Sequence, residues 1–96
     1  MIKHIVMWKL KEENKKENAK KIKDMLMNLE GKIKEINKIE VLININESDA
    51  AMDVCLVSQF NSLDHLNIYQ NHEEHLKVGA FVKEVTIERK VTDSYE

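Results

Sequence analysis

Tyr69, His72 and His75 stand three residues apart in the stretch YQNHEEH, with Glu73 and Glu74 between the two imidazoles. Imidazole, whose unperturbed pKa is near ~6.5, takes up or releases a proton at neutral pH and so serves as a general acid or base. A tyrosine hydroxyl donates a hydrogen bond to a carbonyl oxygen as that oxygen gains charge. Two imidazoles flanked by carboxylates could share a cation. HEEH, however, lacks the H-E-x-x-H spacing that sets two imidazoles on one helical face with a carboxylate between them, so no metal site is expected. The alternative is structural: Tyr69 packs its ring in the core with its hydroxyl bonded, His72 caps or links two helices, and His4 is a satisfied interior histidine.

Geometry decides between these readings. On an uninterrupted helix at 100° per residue, Tyr69 and His75 diverge by about 120° and cannot both face one small cavity squarely. A break between two helical stretches removes that obstacle. Asn71, with Glu74 three residues on, has the form of a capping box that could restart a helix, so a break is expected between Asn71 and Glu73.

The elements that must position these groups follow from hydrophobic periodicity. MIKHIVMWKL alternates, with Ile2, His4, Val6, Trp8 and Leu10 on one face and Lys3, Ile5, Met7 and Lys9 on the other; it reads as a strand. From Glu12 the apolar step lengthens to three and four through Ala19, Ile22, Leu26 and Leu29. That is an amphipathic helix, with Gly31 suited to a left-handed residue just past its end. INKIEVLINI alternates again (Ile39, Val41, Ile43 and Ile45 against Glu40, Leu42 and Asn44), and DVCLVSQF places Val54, Leu56 and Phe60 opposite Cys55 and Val57. Asn61 or Ser62 caps a helix starting at Leu63, along which Leu63, Leu66 and Tyr69 share a stripe, and His65 faces solvent. EEHLKVGAFVKEV is a second helical stretch. VTIERKVTD is the last strand, with Val85, Ile87, Arg89 and Val91 on one side.

The order β-α-β-β-α-β is the ferredoxin-like split βαβ plan, an α+β fold with a four-stranded antiparallel sheet whose first and third strands are central. These are the two strands with apolar residues on both faces. Two helices cover only one side, so the other side is expected to meet a second copy of the chain, sheet face to sheet face, around a barrel-like interior.

Ninety-six residues correspond to one domain, residues 1–96, of a size that buries limited surface alone. A formal net charge of −2 gives no basic footprint for nucleic acid, and the lysine-rich stretch KEENKKENAKKIKDM pairs its charges at i,i+4 as a solvated helix face does. With two glycines, no phosphate-cradling loop is present. No leader pattern or bilayer-length apolar run appears, and the single cysteine, Cys55, sits in an apolar strand. A cytoplasmic protein without membrane partners is therefore expected.

KHIVMWKL on the first strand, and DVCLVSQFNSLDHLNIYQNHEEHLKV on the third strand and following helix, resemble the stress-responsive α/β-barrel domain family. The resemblance runs over nearly the whole chain, and the spacing of Tyr69, His72 and His75 is its most specific part. It implies a homodimeric α/β barrel with a cavity in each subunit between sheet and helices. Most members have no assigned activity; a plant member is a cofactor-free polyketide cyclase that closes a ring by aldol condensation. There, a tyrosine and a histidine matching Tyr69 and His75 act on the substrate, with a histidine matching His4 nearby. The resemblance thus implies Tyr69 and His75 as catalytic candidates, His4, His72 and Trp8 as binding candidates, no cofactor, and a cavity reached by the Tyr69 oxygen and a His75 nitrogen. The family commonly has proline after the first histidine of this motif, where this chain has Glu73.

Overall fold

A computed structural model describes residues 1–96. β1 (Ile2–Leu10) is followed by α1 (Lys15–Met27), a short 3-10 turn (Asn28–Gly31), β2 (Lys38–Ile43), β3 (Val54–Phe60), α2 (Leu63–Asn71), α3 (Glu73–Val85) and β4 (Thr86–Tyr95). The four strands form one sheet in the order β2-β3-β1-β4, every neighbouring pair antiparallel. The split βαβ plan is therefore present, with β1 and β3 in the centre.

Register fixes which residues share a face. Along β1, His4 lies between Ser58 of β3 and Asp93 of β4, Val6 between Leu56 and Val91, and Trp8 between Val54 and Arg89. This is the side on which the helices pack. Ile2, Val6, Trp8, Leu10, Val54, Leu56 and Phe60 from the sheet join Ile22, Leu26, Leu66, Tyr69, Val78 and Val82 from the helices in a continuous buried core. On the opposite side Ile5 pairs with Val57 and Met7 with Cys55, and Leu42 of β2 also pairs with Cys55. Met7 remains 37% and Leu42 47% exposed, so this apolar centre is bare in the protomer. Only 21 of the 96 residues are buried, a small share that follows from covering one side of the sheet alone.

Three local expectations differ from the structure. Gly31 is not left-handed; the chain tightens into the 3-10 turn at Asn28, and the burial of Leu29 and then Ile33 keeps it winding in the right-handed sense. The one non-glycine residue with positive φ is Asn14, at the other end of α1, with φ of 55°. Ile45 is 95% exposed, because β2 pairing stops at Ile43 opposite Val54 and Asn44 diverts the chain by accepting from the Asn46 N–H and donating to the Met52 carbonyl. Finally, β4 begins at Thr86 rather than Val85, and a register shift opposite Lys9 and Leu10 breaks its alternation. As an edge strand beyond the reach of the helices it contains no buried residue.

No helix is long and apolar enough to cross a membrane.

Candidate functional site

The junction of α2 and α3 is broken at one residue. His72 has extended backbone, φ −66° and ψ 138°, ending α2 at Asn71 and starting α3 at Glu73. The break falls where expected, but its cap is His72 and not Asn71. The His72 Nδ1 accepts the Glu74 N–H at 3.0 Å, while the Asn71 amide is engaged one turn back with Asn67. An imidazole lone pair here does what an Asn or Ser oxygen usually does at a helix start, and Glu73 and Glu74 fall in the first turn, where the helix dipole favours acids. Proline at Glu73 is therefore unnecessary for the break. His72→Ala should cost about 1 kcal/mol of stability through the lost cap, and His72→Asn should restore most of it; urea unfolding of the two variants checks this.

The break turns Tyr69 and His75 toward each other, their ring centroids 4.5 Å apart. Ser62 starts α2 by accepting the His65 N–H at 3.1 Å, which sets Leu66 and Tyr69 on the inward stripe. Tyr69 then lies over the sheet, 4.9 Å from the Phe60 ring and 6.3 Å from His4. His4 is buried, and the Asp93 carboxylate, directly across the β1–β4 ladder, accepts from its Nδ1. Ser58, on the other flank, donates to the His4 carbonyl at 3.2 Å. His65, expected in solvent, is half-buried with Nδ1 enclosed and unbonded.

Each polar group has a definable state. The Tyr69 ring is wholly buried, and its Oη finds no protein hydrogen-bond partner. Burial pushes the phenol far above its ordinary range, so the hydroxyl keeps its proton and acts as a donor. The His75 Nδ1 sits 3.1 Å from the Gln70 carbonyl, which only accepts, so Nδ1 carries the hydrogen and Nε2 keeps the lone pair. Burial lowers the His75 pKa, and the charges of His4, Arg89 and His72 push the same way against the Gln70 bond. His75 is thus held as a neutral base.

That depression has a consequence for stability. The unfolded chain protonates His75 near the ordinary ~6.5, the folded chain only at lower pH. Between those values the unfolded state binds more protons, so stability rises with pH there and is lost on acidification below about 6.5. His75→Gln should flatten this acid limb, measurable as a smaller difference between urea midpoints at mildly acidic and neutral pH than in the wild type.

His4, Tyr69 and His75 are brought together; His72 is committed to the cap at their edge. Trp8 shares the His4 face but lies four residues along β1, about 13 Å away by strand rise. Asp93 was missed in the sequence, where the only signal is its register opposite His4. All these groups lie on the helix-covered side of the sheet. The rings pack directly on one another. A hollow of about 320 Å³ on the bare face and one of about 540 Å³ beside Trp8 stop short of His4, Tyr69 and His75. No group of three or more His, Cys, Asp or Glu side chains is placed to hold a metal ion.

Among solved structures, a dimeric ferredoxin-like protein of unknown function from Bacteroides fragilis is 33% identical, with a TM-score of 0.89 over 97% of this chain and 93% of its own. A dimeric ferredoxin-like protein of unknown function from Thermobifida fusca is 17% identical, TM-score 0.86, over 97% and 88%. The hydroxynitrile lyase of Passiflora edulis shares the fold at 13% identity, TM-score 0.85, over 97% and 90%. A search of curated protein sequences gives no match. The model of the stress-responsive A/B barrel domain matches residues 2–96, and the chain belongs to that family.

Proposed function

We propose that the protein is a homodimer, joined through its bare sheet faces, that binds a small molecule bearing a hydrogen-bond acceptor, a carbonyl above all, at the Tyr69–His75–His4 cluster. One observation carries this reading: a buried tyrosine hydroxyl, kept protonated and without a protein partner, beside a neutral imidazole and a His–Asp pair. Enclosed polar groups are nearly always bonded, and an exception calls for an acceptor supplied from outside the chain. A carbonyl oxygen accepts from the Tyr69 hydroxyl, and Asp93 orients His4 beside it. The enclosure of the cluster means that entry displaces side chains at the α2–α3 junction or along β4.

A catalytic reading uses the same atoms. With Nδ1 anchored on Gln70, the free Nε2 of His75 is the group able to take a proton from carbon next to that carbonyl, while Tyr69 donates to the oxygen as it gains charge. That is the division of labour an aldol-type ring closure needs, as in the polyketide cyclase that the family resemblance brings to mind. Acetophenone separates the proposal from a purely structural cluster. It should raise the thermal midpoint of the wild-type protein, and Tyr69→Phe should weaken its affinity roughly two- to tenfold, the worth of one neutral hydrogen bond. Equal affinity in the two proteins would remove Tyr69 from the site.

A further inference from the structure

We propose that the bare face of the sheet carries a site for a soft monovalent metal ion, copper(I) above all, formed by the sulfur atoms of Met7, Met52 and Cys55. It lies on the opposite side of the sheet from Tyr69, His75 and His4 and does not depend on the ligand proposed for them.

The three side chains line one hollow of about 320 Å³ at the end of the face where β2 stops. Met7 and Cys55 are direct partners in the β1–β3 ladder. Paired α-carbons in such a ladder are about 4.5–5.5 Å apart with their side chains on one face, a separation at which a thiolate and a thioether can share an ion. Met52 comes from the connection between β2 and β3, and Asn44 holds that connection in place. The Asn44 backbone N–H donates to the Asp53 carbonyl at 2.9 Å, and its side-chain amide donates to the Met52 carbonyl at 2.7 Å. Met52 and Cys55 are both half-buried. Of the chain's five methionines and one cysteine, two methionines and the cysteine line this one hollow.

The donors select the ion. Thiolate and thioether sulfur are soft ligands that suit copper(I), whereas calcium, magnesium and manganese require carboxylates, carbonyls or water. The hollow offers no free oxygen of that kind. Asn44 is its one polar side chain and is committed to Asn46 and Met52, Glu40 on the same face of β2 does not line it, and the remaining walls are leucine, isoleucine and valine. Charge points the same way. One thiolate and two neutral thioethers around a singly charged ion make a centre with no net charge, which a partner subunit can cover without enclosing an uncompensated ion in apolar surroundings. On binding, the Cys55 thiol proton leaves to solvent and the ion takes its place on Sγ, with no change of oxidation state.

An anaerobic titration of the reduced wild-type protein with copper(I) held by the indicator bicinchoninate tests the site, since the indicator loses colour as the protein removes the ion. One copper(I) per protomer is expected. Met7→Leu and Met52→Leu keep size and apolarity, so the fold survives. Each should weaken binding by about tenfold or more, as even outer-shell changes at metal sites do. Cys55→Ala should abolish it, and excess zinc(II) should displace none of the copper. Methionine variants that bind as tightly as the wild type would leave a thiol acting alone and overturn the site. A wild type that takes no copper(I) from the indicator, binding that persists in Cys55→Ala, or one ion per two protomers would do the same. Displacement by zinc(II) would overturn the choice of a soft ion.

Discussion

Tyr69→Phe is expected to stabilise the ligand-free protein by about 1–3 kcal/mol, the reverse of what removing a buried tyrosine hydroxyl ordinarily does. Where such a hydroxyl is bonded, its loss costs about 1 kcal/mol. Here the Oη is enclosed without a partner, so the folded state carries the desolvation cost of the group with nothing to offset it. Phenylalanine keeps the ring, and with it the contacts to Phe60 at 4.9 Å and His75 at 4.5 Å, while removing only the atom that is paid for and unused. For a domain of this size each kcal/mol moves the thermal midpoint by about 4–8 °C, provided the two proteins are compared at equal concentration. The same substitution should weaken acetophenone binding, so stability and affinity change in opposite senses, as they do where a site is kept ready at the expense of the fold. A loss of stability in Tyr69→Phe would show that the hydroxyl is bonded in the free protein, and the case for an external acceptor would go with it.

The sheet was readable from the sequence because period two survives any context: His4 had to share a face with Val6 and Trp8, and the two strands apolar on both sides had to be central. The position of the helix break was equally accessible, because Tyr69 and His75 cannot converge on one molecule without it. Its chemistry was not. Asn71 and Glu74 fit a capping rule, yet an imidazole at the same junction outcompeted them, a choice made by backbone geometry at His72 that no propensity scale carries. Asp93 was hidden for a different reason. Its partnership with His4 spans 89 positions and depends on a strand register that a single sequence does not specify. Gly31 and the end of β2 show the same limit at smaller scale: the local signal for a left-handed cap gave way to the burial of Leu29, and of the four alternating residues only Ile39 and Val41 are buried, Ile43 and Ile45 being exposed where the strand ends in the asparagine turn.

Ile5→Lys is expected to convert the proposed dimer to a monomer at micromolar concentration, read by sedimentation equilibrium, with the far-ultraviolet circular dichroism unchanged. Ile5 lies on central strand β1 and pairs with Val57 of β3 and Thr92 of β4, in the middle of the face that carries Met7, Cys55 and Leu42. In the isolated protomer that face is open to water, so a lysine there costs little. In a two-fold assembly every interface residue occurs twice, so the change brings two ammonium groups into the centre of an apolar contact. An unpaired buried charge costs about 3–5 kcal/mol, and even one such term weakens association by more than about a hundredfold. The variant also separates assembly from binding. His4, Tyr69 and His75 all lie on the helix side of the sheet, so the monomer should keep its affinity for acetophenone. Loss of that affinity on dissociation would mean that the partner subunit supports the site through the sheet. A wild-type protein that is itself monomeric at this concentration would leave Ile5, Met7 and Val57 uncovered in water, contrary to the proposed assembly.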